Sequence, residues 1–208
     1  MWMVLHLMNM LERIIKMSKI YFTSDLHFGH DREFIYKPRG FENVEDMNKT
    51  ILKNYKRIVT DEDTIYILGD LMLGDNDAGI AMLRELPGQK KIILGNHDTA
   101  ARIELYKTIP NTEILGYATV IKYRKMSFYL SHYPTMTSNM EADANLHNHV
   151  TNIYGHTHQM TNFYNDIPFM YHVGVDSHDC EPIEIEKIIE DIKIRLKNVT
   201  NSYKKGGF

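Results

Sequence analysis

The sequence predicts an α/β chain in which mixed β-sheets are covered by helices. Short β-branched or aromatic runs recur, and each stops at a polar cluster. Helical patterns separate these runs in the first half, the alternation that builds parallel β units. In the second half two runs meet at a tight turn instead, which requires an antiparallel pair.

The runs are KIYFTSDLH at 19–27, TIYILGD at 64–70, KKIILGNHD at 90–98, MSFYLSHYP at 126–134 and VTNIYGHTH at 150–158. Their cores of Ile, Val, Leu, Tyr and Phe fit buried strands. Helical patterns fall at 44–59 and 77–86, the second stopped by Pro87-Gly88. GYATVIKYRKMSFYLSH turns near Arg124-Lys125, and PFMYHVGVD at 168–176 adds a further strand. IEIEKIIEDIKIRLK closes as a helix with Ile185, Ile188, Ile189, Ile192 and Leu196 on one face. Residues 18–200 are expected to form one domain, with 201–208 a frayed tail.

Composition excludes several classes. With 43% hydrophobic and 25% charged residues the chain is an ordinary globular one. A net charge of −3 and the lack of a long Lys/Arg block give no clear nucleic-acid surface. The single cysteine, Cys180, rules out an internal disulfide and a Cys-based zinc knuckle and is expected as a small buried filler. Residues 1–17 form an apolar extension: a docked or dimer-forming helix, or a start upstream of the natural one at Met17. It is too short and interrupted to span a bilayer, and it lacks the flanks of a signal peptide. A cytoplasmic location is the resulting expectation.

The chemistry lies in the polar clusters. Ligands of open α/β sheets gather beyond the carboxyl ends of strands. Five runs ending in Asp, Asn or His deliver Asp25, His27, Asp70, Asn96, His97, Asp98, His132, His156 and His158 toward one place. Imidazole, carboxylate and amide oxygen together suit borderline divalent metals. Such a set exceeds the needs of one tetrahedral ion, whereas two ions sharing a carboxylate would use it.

The ordered blocks D-L-H (25–27), G-D (69–70), G-N-H-D (95–98), H (132) and G-H-T-H (155–158) resemble the calcineurin-like metallophosphoesterase superfamily over roughly residues 18–185. They look most like its small bacterial and phage-type members. The resemblance implies a four-layer αββα sandwich of two sheets flanked by helices. It implies that Asp25, His27 and His158 bind one metal, that Asn96, His132 and His156 bind the other, and that Asp70 bridges them. His97 becomes the catalytic histidine, oriented by Asp98. The implied cofactors are two divalent ions, manganese first, then iron, zinc, nickel or cobalt. The implied reaction is hydrolysis of a small phosphate ester by in-line attack of a metal-bridging hydroxide.

The second block reads GDLMLGD, without the phosphate-gripping arginine of the phosphoprotein phosphatases. The DNA-binding regions of the Mre11-type nucleases have no counterpart here. The expected activity is therefore a phosphodiesterase on a small or nucleotide-like substrate. A phosphomonoesterase or nucleotide pyrophosphatase is the alternative, and a non-catalytic scaffold on the same fold is the alternative of another class. His30 is a candidate substrate contact or a cap of the following turn. Arg39 is a candidate phosphate contact or a surface ion pair. Tyr133 is read as packing, Asp176 as a turn former, and His147, His149, His172 and His178 as structural or solvated.

Overall fold

Parallel pairing follows from the strand–helix alternation of the first half. In this computed structural model, residues 18–137 and 149–205 are described. β1 (Ile20–Thr23), β2 (Thr64–Leu68), β3 (Gln89–Ile93) and β4 (Thr112–Gly116) lie parallel in the order β4-β3-β2-β1. A second sheet has the order β5-β6-β7-β8, from β5 (Ala118–Tyr123), β6 (Met126–Ser131), β7 (Val150–Tyr154) and β8 (Met170–His172). β5 and β6 are antiparallel, and the remaining pairs are parallel. The two-residue β9 (Ile183–Glu184) returns to the first sheet, antiparallel to β1. Both sheets are therefore mixed. Arg124 (φ 46°) and Lys125 (φ 66°) form the two-residue turn between β5 and β6. Left-handed φ at both positions matches the twist of the strands they join.

The helices α1 (Glu33–Tyr36), α2 (Val44–Ile58), α3 (Asn76–Arg84), α4 (Ala100–Tyr106) and α5 (Ile185–Lys205) flank the sheets. Side chains of Asn43, Asp75 and Thr99 accept from backbone N–H groups in the first turns of α2, α3 and α4. Such caps satisfy donors that the helix itself leaves unpaired. One core lies between the first sheet and α2–α4, joining Tyr21, Ile65, Ile67 and Ile92 to Met47, Ile51, Tyr55, Leu83 and Tyr106. A second core lies between the sheets. Phe22, Leu68 and Ile93 of the first meet Phe128, Leu130, Ile153 and Tyr171 of the second, with Ile185, Ile188, Ile189 and Ile192 of α5 closing it.

Three elements extend the sequence reading. α4 and β4 occupy 100–116, where no element was predicted: α4 is only seven residues long, and β4 carries half-exposed side chains without clean alternation. α5 continues to Lys205. The apolar extension at 1–17, with the dimer it suggested, and His147 lie outside the described residues. Among the described residues no helix is long and apolar enough to cross a membrane.

Candidate metal centre

Strand pairing draws the polar clusters together. The Asp25 N–H donates to the Gly69 carbonyl at 3.1 Å and the His27 N–H to the Asp70 carbonyl at 3.0 Å, so the loops after β1 and β2 run side by side. The Gly155 N–H donates to the His132 carbonyl at 3.0 Å, which does the same for the loops after β6 and β7. The two sheets meet where the His156 N–H donates to Asp25 Oδ2 at 2.9 Å. Two motif glycines make this closeness feasible. A Cβ at Gly95 would lie 2.2 Å from Asp70 Oδ1, and one at Gly155 would lie 1.8 Å from Ser24 Oγ and 2.5 Å from Asp25 Oδ2.

The donor side chains turn inward from strained backbone. Asp25, His27, Asp70, His156 and His158 all have φ between 47° and 67°. Non-glycine residues adopt that region at a cost of about 1–3 kcal/mol each, and such strain clusters at functional sites.

Their donor atoms face one another, around Asp70 at spacings of 3.5 Å and more and around His132 at hydrogen-bond distance. Asp70 Oδ2 stands 3.7 Å from His27 Nε2 and 3.5 Å from His132 Nε2, between the two halves of the cluster. His27 Nε2 is 3.9 Å from Asp25 Oδ1. On the other side Asn96 Oδ1 and His156 Nδ1 lie 3.0 and 3.2 Å from His132 Nε2. Asp25, His27 and His158 offer ligand atoms within 4.8 Å of one another, as do Asp25, Asp70 and His132. The structure thus brings together all seven residues expected as ligands. His97 sits at their edge, its Nε2 3.9 Å from Asp70 Oδ2 and its side chain 42% exposed.

The far side of each ring is tied down. The His132 Nδ1–H donates to the Leu68 carbonyl at 2.8 Å, leaving Nε2 with a lone pair for an ion. His27 Nδ1 lies 3.2 Å from His30 Nδ1. His158 Nδ1 lies 3.1 Å from Asp176 Oδ2.

Three side chains have partners that the sequence did not suggest. His30, the candidate substrate contact or turn cap, is buried with its Nδ1 3.2 Å from His27 Nδ1. Arg39, the candidate phosphate contact or surface ion pair, is in an ion pair away from the surface: its side chain is 1% exposed and its Nε donates to Asp176 Oδ1 at 2.8 Å. Asp98 does not orient the His97 ring. Its carboxylate accepts from the backbone N–H groups of Asp70, Leu71 and Gly95 and from the Tyr106 hydroxyl, at 3.0, 3.4, 2.8 and 2.7 Å. A carboxylate flanked by N–H groups from a neighbouring strand end is drawn to those donors first, since charge-assisted bonds are the stronger ones. The His97 segment is held instead by Arg102, whose guanidinium donates to its carbonyl at 2.7 Å.

Burial dominates the protonation of the cluster. Burial raises the Asp25 carboxyl above the usual range, although His132 and His158 oppose the shift. Burial pushes His27 well below its ordinary value, with Arg39 and neighbouring histidines adding to the effect. Burial also lowers His156 and takes His30 down to about 4. Neutral imidazoles carry the lone pairs that metals need. Burial lowers His158 too, but the Asp176 hydrogen bond and the nearby Asp25 raise it overall.

Two features of the rim escaped the sequence reading. Phe34 is 70% exposed with its ring edge-on to His30, 5.8 Å between centroids. Tyr133, expected to pack, is 49% exposed and lies edge-on to His156 at 4.6 Å. An aromatic thus stands beside each half of the cluster. His149 stacks on Phe169, and His172 and His178 are held by Ser177 and by the His172 carbonyl, in keeping with structural roles.

The decisive fit concerns unsatisfied atoms. Asp25 Oδ1 and His27 Nε2 are buried without hydrogen-bond partners, while the other oxygen of Asp25 accepts from Ser24 and the His156 N–H. Orphaned buried polar atoms are costly and uncommon. Two of them 3.9 Å apart, next to His158 and Asp70, suit a divalent ion between them.

A fold of two mixed sheets with this histidine–carboxylate cluster at the strand ends defines a class, and the family model agrees: the chain belongs to the calcineurin-like phosphoesterase superfamily, whose domain matches residues 18–174. It is 33% identical to an uncharacterized protein of Methanocaldococcus jannaschii over 187 residues, covering 86% of this chain and 94% of that one. It is 28% identical to the Gene 66 protein of Mycobacterium phage D29, over 85% of this chain and 98% of the phage protein. Among solved structures it is similar to a protein of unknown function from Aquifex aeolicus. There the TM-score is 0.64 and the identity 26%, over 83% of this chain and 98% of that one.

Proposed function

We propose that this chain is a dinuclear, divalent-metal-dependent phosphodiesterase acting on a small, nucleotide-like ester. The observation that carries the reading is the pair of orphaned buried atoms, Asp25 Oδ1 and His27 Nε2, inside a cluster whose remaining donors face the same space. Asp25, His27 and His158 would hold one ion, Asn96, His132 and His156 the other, with Asp70 between them. Manganese is the first candidate, and iron, zinc, nickel and cobalt suit the same donors. When bound, the ions supply positive charge to the phosphoryl oxygens and lower the pKa of a coordinated water.

The protein's own groups do the rest. Asp70 and Asp25 concentrate negative charge that fixes where the cations, and so the phosphoryl group, must sit. His97, half-open at the edge of the cluster, is positioned to give a proton to the leaving oxygen. The Arg102 bond to its carbonyl keeps that loop from drifting. Phe34, next to His30, and Tyr133, next to His156, are exposed aromatic rings, a feature that favours a diester with a base or aryl group over a bare monoester.

The test is hydrolysis of a bis-aryl phosphodiester and the matching monoester by Mn²⁺-supplemented protein, with metal content measured in parallel. Expected are two ions per chain, faster diester turnover, and loss of activity in chelator. Failure to take up any transition ion overturns the proposal. Metal uptake without hydrolysis of any ester favours the scaffold alternative.

A further inference from the structure

We propose that Arg39 and Asp176 form a positioning unit for the metal centre, in which Asp176 keeps the His158 proton on Nδ1 so that Nε2 is offered to the ion. The inference rests on the metal-centre reading above and adds two residues that belong to none of the ligand motifs.

The geometry is specific. Asp176 Oδ2 lies 3.1 Å from His158 Nδ1 and Arg39 Nη2 lies 3.3 Å from it; the carboxylate is the nearer of the two, and only an N–H can face it without repulsion. With Nδ1 committed, Nε2 is the nitrogen left for the group formed with Asp25 and His27. Carboxylate–histidine pairs of this kind fix ring orientation and raise ligand basicity at metal sites. Arg39 then locks the carboxylate. Its Nε and Nη2 donate to Asp176 Oδ1 and Oδ2 at 2.8 and 3.1 Å, the fork geometry that suits Arg and not Lys. The same Nη2 donates to the Asp25 carbonyl at 2.9 Å. One guanidinium therefore registers two proposed ligands of a single ion, the backbone of Asp25 and the ring of His158.

A merely structural pair would be a poor explanation of this arrangement. Both side chains are buried, 1% and 4% exposed, and burying two charges costs several kcal/mol per ion before their attraction repays it. The pair spans 137 residues of sequence and ends on a ligand ring, where a stabilising contact has no reason to be. The other rings use weaker partners: a backbone carbonyl for His132 and another imidazole for His27. His158 alone among them has a charged support, and at 33% side-chain exposure it is also less enclosed than His27 or His132. Water can compete for a ligand in that position, so a firmer anchor has a purpose there.

The experiment is calorimetric titration of metal-free protein with Mn²⁺, for the wild type, Asp176→Ala, Asp176→Asn and Arg39→Lys, with folding checked by melting in chelator. Expected are two binding events in the wild type. In Asp176→Ala one event weakens by about 10–100-fold, the usual cost of losing such a partner, while the other is unchanged. Asp176→Asn should lose less, because its amide oxygen still accepts from Nδ1, and Arg39→Lys should fall between wild type and Asp176→Ala. Folded variants with two wild-type affinities overturn the inference but leave the proposed function standing. A wild type that binds no Mn²⁺ overturns both. Should the variants not fold, ¹⁵N spectra of Zn²⁺-loaded wild type decide. A proton on His158 Nδ1 supports the assignment, and an unprotonated Nδ1 overturns it.

Discussion

Two buried carboxylates support the site from opposite sides, and they do so differently. Asp98 sits under the loops of the first sheet and accepts from three backbone N–H groups and a tyrosine hydroxyl. Asp176 sits beside the second sheet and is paired with an arginine and a ligand ring. The first holds main chain in place, so its neighbours stay put whatever occupies the centre. The second holds a side chain, so under the proposed function its effect would reach an ion through one nitrogen. Asp176 accordingly has its carboxyl well below the usual range: burial pushes it up, but His158 and Arg39 outweigh that. Backbone donors suffice where a loop must be fixed, and a formal charge is spent where a ring must be.

The comparison breaks most sharply at His97, which follows the loop that Asp98 holds but faces the open edge. His97→Ala should lower phosphodiester turnover by about 10²–10⁴-fold, the usual contribution of a general acid. Bound metal measured by elemental analysis should stay near the wild-type content. An equal loss of metal would mean that His97 is a ligand instead. Next comes Asp98→Ala, which orphans three N–H groups and the Tyr106 hydroxyl at roughly 1–3 kcal/mol per buried group that water does not rescue. Chelator-treated Asp98→Ala should melt well below wild type, whereas Asp176→Ala should show its main defect in metal affinity. Tyr106→Phe is milder: the loss of one hydrogen bond to a charged acceptor predicts about 1.5–3 kcal/mol in denaturant titration.

The last effect appears only in acid and concerns the segment that leads to Asp176. His172 Nδ1 lies 2.7 Å from Ser177 Oγ and its Nε2 is buried without a partner, and burial pushes its pKa from 6.5 down to about 3. Between those values the unfolded chain binds a proton that the folded chain refuses, so stability rises with pH there. The contribution is complete above about pH 6.5 and is lost as pH falls toward 3, with a slope of at most about 1.4 kcal/mol per pH unit from this group. His172→Gln in metal-free protein should flatten the acid limb of the stability profile. An unchanged acid limb would show that His172 is accessible enough to protonate in place.

Much of the molecule was legible because its signals are local. Each buried strand run announces itself by composition, and each ends on the polar residues that the parallel sheet delivers to one edge. The Arg124-Lys125 turn and the apolar face of α5 are equally local. β9 was not legible, since two residues carry no periodicity and pair only because α5 must begin beside β1. The Arg39–Asp176 pair was not legible for a related reason. An arginine in a loop and an aspartate after a strand look solvated until the chain buries them together.

The sequence by itself determined the set of donor atoms and the order in which strand ends present them, because both depend on short spacings along one chain. Only the tertiary structure decided which nitrogen of each ring faces the centre and which carboxylates stand behind it. Those choices are made by hydrogen bonds between residues as far apart as Arg39 and Asp176, whose energies appear only once the two segments are buried against each other.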